Sequence, residues 1–293
     1  MTELVSQGLA DELIAYRHYF HENPELSNQE FNTTAKIKEV LSKWNIKIIP
    51  TGLKTGVLAE IGLNKGPVLG LRGDIDALPI QEETDEPFQS ATTGVMHACG
   101  HDTHIASLLG AAYLLKQREG DLKGKVRLIF QLSEEANEGA LQVINDGQIH
   151  GVDAILGFHN ASNHPVGHVG LKSGITSGAI DTFKVILKGI GSHASAPQNG
   201  SDSIVALGAE INAIQTIISR NFDPLKGGAI SLTHVEAGNT WNILPEKAFF
   251  EGTVRTADKE VRKQIKNRFI ALVKLTAKAH DVTADIDWYA GDP

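Results

Sequence analysis

Three histidines and the only cysteine of the chain fall within one short stretch, HACGHDTH, from His97 to His104. Cys99 and His101 are two residues apart, so both side chains can reach one ion from a single tight turn, and an apolar helical segment follows. A helix N-terminus and a bound metal both stabilise a thiolate, and thiolate and imidazole together suit Zn²⁺ or another borderline divalent cation. The alternative for Cys99 is a small buried hydrophobic residue. His97 and His104 are less specific, and for His104 we favour a capping or supporting role.

Carboxylates and a further histidine follow three apolar segments that predict β-strands. The stretch RGDIDALP supplies Asp74 and Asp76, QLSEEANEG supplies Glu134 and Glu135, and LGFHNAS supplies His159. Ligands of open α/β sheets gather at the carboxyl ends of the strands, so we expect these side chains to join the cysteine motif in one metal site. Singly, each has an ordinary alternative, because the Asp pair can cap a helix and the histidine can lie in the core.

The adjacent residues Glu134 and Glu135 are predicted to have different roles. Adjacent residues at a strand end point in different directions, so one carboxylate can bind a metal while the other faces a water molecule as general base. Pairs of Glu are common on surfaces, but this pair follows directly on the apolar strand VRLIF and QLS. The sequence therefore predicts metal-assisted hydrolysis.

The elements around these motifs alternate between helix and strand. Leu4 to Phe20 has the pattern of an amphipathic helix, and Ser27 with Glu30 three residues later predicts the capped start of a second helix. Short apolar strands then alternate with helical segments. This pattern predicts an α/β fold in which helices cover both faces of a largely parallel sheet, giving three layers.

The pattern changes after LKSGITSG, a candidate linker. From Thr182 the order becomes strand, helix, strand, strand, helix, strand, which is the ferredoxin-like βαββαβ plan. We therefore predict a metal-binding domain at residues 1–176, a second domain at 177–287, and the start of a return to the first domain at 288–293. The alternative is that these elements continue the first sheet.

The composition excludes several classes of partner. The chain has 293 residues and a net charge of −8 without a cluster of Lys and Arg, which argues against a nucleic-acid partner. No segment approaches the ~18 apolar residues of a membrane span, and the first residues lack the pattern of a signal peptide. A single cysteine excludes an internal disulfide and fits the reducing cytoplasm.

Several motifs resemble one family across nearly the whole chain, from about Tyr16 to Tyr289. They are FHENPELSNQEFNTTAKI, RGDIDALP, MHACGHDTH, SEEANEGA, GFHN, GSHASAP, WNILP and GTVRT. These stretches are similar to the amidohydrolase branch of metallopeptidase family twenty. That branch includes N-acyl-amino-acid amidohydrolases, hippurate hydrolases and indole-acetyl-amino-acid hydrolases.

The resemblance implies a role for each matching position in the first domain. Four residues match the metal ligands of a binuclear site: Cys99, His101, Glu135 and His159. Glu134 matches the general base that activates water, and Asp76 matches an acid that supports the metals. The metals would be two divalent ions, with Zn²⁺, Mn²⁺, Ni²⁺ and Co²⁺ all open.

Three residues of the second domain match groups that contact substrate. His193 matches a histidine that reaches across a dimer interface to stabilise an oxyanion, a role that suits an imidazolium. Asn242 and Arg255 match groups that hold the substrate carboxylate, for which an amide and a guanidinium are well suited. The resemblance thus implies a homodimer formed through the ferredoxin-like domain.

The activity implied is hydrolysis of the amide bond of N-acyl amino acids. Alternatives are a dipeptidase or an N-acetyl-diamino-acid deacetylase of the same family, or an inactive remnant that binds metal and dimerises. Family members continue well past the position of Pro293 and carry a last metal-binding histidine there. After His193 this chain has only His234 and His280, and neither has that context. We therefore expect a weakened metal position and exposed apolar surface on the first domain.

Overall fold

The computed structural model describes residues 5–63, 65–223 and 226–291. It divides the chain into two compact units, Met1–His168 (unit 1) and Val169–Pro293 (unit 2). The segment between the last strand of unit 1 and the first strand of unit 2 contains neither helix nor strand. Both this division and the boundary predicted after residue 176 lie in that segment. The predicted boundary itself stays a prediction, and the last two residues of the predicted return at 288–293 lie outside the described residues.

Unit 1 combines a five-stranded sheet with four helices among its described residues. In chain order they are α1 (Gln7–Glu22), α2 (Phe31–Lys43), β1 (Lys47–Ile49), β2 (Val57–Gly62), β3 (Val68–Asp74), α3 (His101–Gln117), β4 (Lys125–Gln131), α4 (Gly139–Asn145) and β5 (Ala154–Gly157). The strand order is β1-β2-β4-β3-β5. Strands β4, β3 and β5 are parallel neighbours, while β2 runs antiparallel to β1 and β4. Four of the five strands therefore run in one direction, and the predicted largely parallel sheet is confirmed.

Both faces of this sheet are covered by helices. Phe130 of β4 lies in one core cluster with residues of α1, α2 and α3, whereas Ile129 lies in a second cluster with Val143 of α4. Successive side chains of a strand point to opposite faces. A strand buried on both faces is therefore apolar at consecutive positions, which is the pattern seen in VRLIF. At the edge of the sheet, Ile155 and Leu156 of β5 are exposed.

The first helix begins three residues after its predicted start, Leu4, which lies outside the described residues. Helix α1 begins at Gln7 because the side chain of Ser6 accepts a hydrogen bond from the backbone N–H of Leu9 at 3.3 Å. This is the usual geometry of an N-cap serine.

The predicted N-cap of the second helix is wrong. Ser27 does not cap α2, and its hydroxyl donates instead to the carboxylate of Asp76 at 2.7 Å. The backbone N–H groups at the start of α2 are satisfied by Glu25, whose carboxylate accepts from Asn32 at 3.1 Å and Thr33 at 2.8 Å. A serine between two turns carries a strong local capping signal, but here a partner distant in sequence takes its hydroxyl.

Unit 2 contains a separate four-stranded antiparallel sheet and two long helices. Its elements are β6 (Ala179–Lys188), β7 (Ser192–His193), α5 (Ser203–Asn221), β8 (Gly228–Ala237), β9 (Ile243–Leu244), β10 (Lys247–Thr256), α6 (Lys259–Ala279) and β11 (Thr283–Ala290). The sheet order is β11-β6-β10-β8, and β7 and β9 form a small ribbon of their own. The main elements follow the predicted βαββαβ order. The alternative, a continuation of the first sheet, is wrong because the two sheets share no strand among the described residues.

One face of the second sheet is packed against the helices. Along β6 the side chains alternate between buried and less buried positions, as expected for a sheet covered on one face. Phe183 of that strand stacks against Phe269 of α6 with ring centroids 4.5 Å apart. Both helices are capped by aspartates, because Asp202 and Asp258 each accept two backbone N–H groups of the first turn.

None of the described helices combines the length with the apolar character needed to cross a bilayer.

Candidate active site

The polar groups predicted from the strand ends meet at one edge of the unit 1 sheet. Asp74 is the last residue of β3, Glu134 and Glu135 follow β4, and His159 follows β5. These three strands are parallel neighbours, so their carboxyl ends lie side by side. His101 is the first residue of α3 and completes the group at the same edge.

His101 lies at the centre of the site. It belongs to three groups of potential metal ligands, and within each group the donor atoms lie within 4.8 Å of one another. The groups are Cys99, His101 and His159; Asp74, His101 and His104; and His101, Glu134 and Glu135. The Nε2 atom of His101 is 3.6 Å from Oδ1 of Asp74 and 3.7 Å from Oε1 of Glu135.

The second ring nitrogen of His101 fixes its tautomer. Nδ1 lies 2.9 Å from the backbone carbonyl oxygen of Asp76, which can only accept, so Nδ1 carries the hydrogen in the neutral ring. The lone pair of Nε2 is then free, and neither Nε2 nor Oε1 of Glu135 has a hydrogen-bond partner within the described part of the chain although both are buried. Buried polar atoms in native proteins are nearly always paired. Two unpaired acceptors facing each other fit a divalent cation, with Asp76 orienting the imidazole as in many metal sites.

Cys99 and His159 extend this set of donors. The sulfur of Cys99 lies 3.3 Å from Nε2 of His159, whose Nδ1 is 2.7 Å from the carbonyl oxygen of Asn160. Burial raises the pKa of the Cys99 thiol to about 12, and the carboxylates of Glu135 and Glu134 add to this effect. In the absence of a metal, the helix N-terminus therefore does not by itself favour the thiolate, and the bound metal is the part of the expectation on which ionisation depends. A cation is needed to offset the nearby negative charges before the thiol ionises.

The carboxylates of the site differ in their affinity for protons. Burial alone would raise the pKa of Asp74, but the hydrogen bond with His104 and the charge of Arg72 hold it at about 2. Burial raises the pKa of Glu134, and the charges of Glu135 and Asp74 raise it further. One acid is thus firmly ionised while its neighbour has increased proton affinity, a contrast typical of catalytic sites.

Two residues near the donors have the contacts of supporting groups. The Nδ1 atom of His104 lies 2.5 Å from Oδ1 of Asp74, and its Nε2 accepts the backbone N–H of Asn160 at 3.1 Å. Both nitrogens of His104 are therefore used. Asp76 accepts the backbone N–H of Glu135 at 2.9 Å through Oδ2 and also lies beside His101.

The local sequence pattern does not reveal the surroundings of two further residues, Asp74 and His97. The sequence pattern pairs Asp74 with Asp76 and predicts no separate role for it, although its Oδ1 lies 3.6 Å from Nε2 of His101. Its position as the last residue of a buried strand was the available signal. His97 belongs to none of the donor groups; it is buried, neither ring nitrogen has a partner among the described residues, and burial lowers its pKa to about 4.

The predicted substrate-binding residues of unit 2 lie at two separate places. His193 lies in β7, which pairs with β9, and the backbone N–H of Ala194 donates to the carbonyl oxygen of Asn242 at 3.0 Å. These two predicted residues are therefore close together. Arg255 lies near the other end of β10, eight residues beyond Lys247, which places it about 25 Å along the strand at the usual rise per residue.

The tautomer of His193 is also fixed by a neighbour. Its Nδ1 accepts the backbone N–H of Ser195 at 3.2 Å and lies 2.8 Å from the hydroxyl of the same residue. The neutral ring therefore carries its hydrogen on Nε2, where it can serve as a donor. The role predicted for this residue does not require an imidazolium.

Comparisons with known proteins give consistent results. Residues 70–293 match the model of the peptidase family M20/M25/M40. The chain is 50% identical over 286 residues to an N-acetyl-L-cysteine deacetylase of Bacillus subtilis, covering 97% of this chain and 69% of that protein. It is 39% identical over 282 residues to thermostable carboxypeptidase 2 of Saccharolobus solfataricus, covering 95% of this chain and 72% of that protein.

A solved structure supports the same relationship. The crystal structure of a dinuclear metal-binding peptidase of the M20 family from Bacillus subtilis matches with a TM-score of 0.86 and 41% sequence identity. The match covers 99% of this chain and 76% of that chain. The continuation of the family beyond the position of Pro293, expected from the resemblance, stays a prediction.

Proposed function

The chain belongs to the peptidase family M20/M25/M40, and we propose that it hydrolyses the amide bond of N-acyl amino acids to a carboxylic acid and an amino acid. One observation carries this proposal. The buried atoms Nε2 of His101 and Oε1 of Glu135 face each other without a hydrogen-bond partner among the described residues, beside the carboxylate of Glu134, whose pKa is raised. An acceptor pair for a cation next to a candidate base is the arrangement that metal-assisted hydrolysis requires.

We propose that this edge of the sheet holds two divalent ions, Zn²⁺, Mn²⁺, Ni²⁺ or Co²⁺. The proposed ligands are the four that the family resemblance implies, with the carboxylate of Asp74 added because of its place beside His101: Cys99, His101, Glu135, His159 and Asp74. When bound, such ions polarise a carbonyl group and make water a better nucleophile at neutral pH. Asp76 keeps the imidazole of His101 in the tautomer that leaves Nε2 free.

Glu134 is the proposed general base. Its carboxylate accepts a proton from the attacking water and then donates it to the nitrogen of the leaving amine. The raised pKa of this carboxyl group makes it a stronger base than an exposed glutamate, and it brings the pKa nearer to neutral pH, where one group can both accept and return a proton. Half-buried Glu135 lies in the same donor group, and its charge contributes to raising the pKa of Glu134.

The residues of unit 2 are proposed to bind the rest of the substrate. The Nε2–H of His193 would donate to the oxygen that gains negative charge as the amide is attacked. Asn242 and Arg255 would hold the α-carboxylate, for which the guanidinium offers two parallel donors.

The separation of these residues supports a homodimer formed through unit 2. Arg255 lies about 25 Å along β10 from the end where His193 and Asn242 meet, a span that one small substrate does not bridge. A second copy of the chain could supply the residues of one end to a site that already has those of the other. We therefore propose that each active site takes residues from both copies.

Mixing two inactive variants tests this arrangement. We expect His193→Ala and Arg255→Ala each to lose most activity as homodimers, because every site then lacks one substrate contact. Co-expression of the two variants should restore a measurable share of the activity, since one site of each mixed dimer contains both native residues. Mixed dimers that stay as inactive as their parents would contradict shared sites, provided that sedimentation confirms that they formed.

The activity itself is tested on the purified chain with and without metal. We expect elemental analysis after incubation with Mn²⁺, Zn²⁺ or Co²⁺ to show bound ions. We also expect the loaded chain to hydrolyse N-acetyl-L-cysteine and other N-acetyl or N-benzoyl L-amino acids. A sample treated with a chelator is the matched control. Bound metal without turnover of any of these substrates would favour the remnant that binds metal without catalysis.

A second substrate class has its own support. The 39% identity to a carboxypeptidase favours peptide-bond hydrolysis as the alternative activity. A dipeptide also ends in the α-carboxylate that Asn242 and Arg255 are proposed to bind. Including dipeptides and N-acetylated diamino acids in the same panel separates these activities by their relative kcat/KM.

We also propose that the chain acts in the cytoplasm. Its only cysteine lies among the proposed metal ligands, and a reducing compartment keeps such a thiol available. Cell fractionation that places the native protein in an oxidising compartment would contradict this.

A further inference from the structure

The turn that carries Glu134 begins with a residue in a rare backbone conformation. Ser133 is fully buried and has a φ of 49°, in the left-handed region. Residues other than glycine seldom adopt this region, and they keep it only where surrounding contacts enforce it. Glu134 follows directly, so the conformation of Ser133 decides the direction in which the chain presents the next side chain.

A buried carboxylate distant in sequence enforces this conformation. Glu30 is fully buried, and its Oε1 accepts the backbone N–H of Ser133 at 2.8 Å. Its other oxygen, Oε2, accepts the hydroxyl of Thr55 at 2.7 Å. The carboxylate of Glu30 thus bonds on one side with Thr55, two residues before β2, and on the other side with Ser133, the residue at which the turn begins.

Other contacts from the same region complete the fixation. The backbone N–H of Asn28 donates to the hydroxyl oxygen of Ser133 at 2.7 Å. The carbonyl oxygen of Ser133 accepts the N–H of Gly139 at 3.0 Å, which closes the turn. Every hydrogen-bonding group of Ser133 is therefore engaged, and among the described residues only the side chain of Glu30 accepts its backbone N–H.

We propose that Glu30 is a positioning residue for hydrolysis, which acts through Ser133 to aim the carboxylate of Glu134 at the reacting amide. It does not touch the substrate itself. The inference rests on the proposed role of Glu134 as general base. A purely structural residue would affect the stability of the whole unit, whereas the role proposed for Glu30 affects the conformation of one turn.

Three variants test the inference. Glu30→Met keeps the size of the side chain but removes both acceptors, so we expect kcat to fall at least tenfold with KM within twofold and with metal content retained. Glu30→Gln keeps one oxygen for the N–H of Ser133, while its amide can donate to Thr55 after the hydroxyl turns. It should therefore recover most of kcat. Ser133→Gly tolerates the positive φ but loses the anchoring hydroxyl, so it should fold and yet lose kcat without a lower Tm.

Glu25 offers the matched control in the same loop. Its carboxylate also accepts backbone N–H groups, those of Asn32 and Thr33, but it has no hydrogen bond to residues 133–135 among the described contacts. Glu25→Met should lower Tm and leave kcat unchanged. Equal losses of kcat in Glu25→Met and Glu30→Met at equal losses of Tm would overturn the inference, as would a native kcat in Glu30→Met.

A readout independent of activity uses the metal-free chain. Hydrogen exchange of peptides spanning residues 128–142 should be faster in Glu30→Met than in Glu25→Met or the native chain. Unchanged exchange there would also overturn the inference. If Glu134→Gln retains turnover, the proposed role of Glu134 as general base fails, and the positioning role fails with it; if Glu134→Gln is inactive while Glu30→Met and Ser133→Gly keep native kcat, only the positioning role fails.

Discussion

Glu134→Gln is expected to lower kcat by roughly 10²- to 10⁴-fold, the usual contribution of a general base. The substitution keeps the shape of the side chain and removes its ability to take a proton from water. Because Glu135, His101 and Cys99 remain, we expect the metal content to stay that of the native chain. The experiment compares kcat for N-acetyl-L-cysteine with bound metal measured on the same samples.

A control variant and the metal content decide how this result is interpreted. Glu39→Gln is the control, because Glu39 is an exposed carboxylate of α2 that pairs only with Lys36 among the described contacts. It should leave kcat unchanged. Loss of metal together with activity in Glu134→Gln would assign Glu134 to the ligands instead, and persistence of turnover would refute the mechanism.

Glu210→Gln is expected to stabilise unit 2 at alkaline pH. Glu210 lies on α5 and is fully buried, and no side chain among the described residues hydrogen-bonds to its carboxylate. No described Lys, Arg or His forms an ion pair with it, and the nearby backbone of Ala277 offsets only part of the cost of burial. Burial therefore raises the pKa of Glu210 to about 8, from 4.5 in an exposed chain.

The direction in which pH changes the free energy of unfolding follows from the number of protons that the folded and the unfolded chain bind. Between pH 4.5 and about 8 the folded chain retains a proton on Glu210 that the unfolded chain has released. The free energy of unfolding then falls as pH rises, by up to about 1.4 kcal/mol per pH unit. Below this window the contribution is constant, and above it the whole loss, a few kcal/mol, has occurred. Glutamine does not titrate, so the variant should match the native chain near pH 4 and exceed it near pH 9.

Denaturant unfolding of the full chain at several pH values measures this effect. Trp288 packs against Phe269 beside the core of unit 2, and Trp241 lies in the same unit, so tryptophan fluorescence reports on unit 2 once Trp44 of unit 1 is replaced by Phe. Glu246→Gln, at an exposed carboxylate of the same unit, is the matched control and should keep the native pH dependence. A slope in Glu210→Gln equal to that of the native chain would contradict the prediction.

Most donors of unit 1 could be predicted from the sequence because Asp74, the Glu134–Glu135 pair and His159 follow short apolar strands, while Cys99 and His101 stand in one turn at a helix start. Strand ends are local features, and the rule that ligands gather at the carboxyl ends of parallel strands connects them without knowledge of their distances. The βαββαβ order of unit 2 could also be predicted, because the alternation of apolar and polar residues and the helix-capping residues lie within each element.

The failures all concern partners far apart in the chain. Ser27 looked like a helix cap, but its hydroxyl is taken by Asp76, 49 residues away. Glu30 looked like a member of the same capping box, but its carboxylate bonds with Ser133, 103 residues away. The carboxylates that raise the pKa of the Cys99 thiol are also distant in sequence, whereas the helix end beside it could be read from the local pattern. Local pattern shows what a side chain can do, and only packing decides which partner it meets.

The central place of His101 has a consequence for stoichiometry. All three donor groups include it, yet its neutral ring has a single available lone pair, on Nε2. One lone pair cannot serve two cations, so the three groups are competing choices rather than three independent sites. The ion that takes this nitrogen leaves its neighbour to complete its coordination from the remaining donors, the carboxylates, the thiol of Cys99 and the imidazole of His159. The two positions are thereby chemically unequal, and filling one changes what the other can offer.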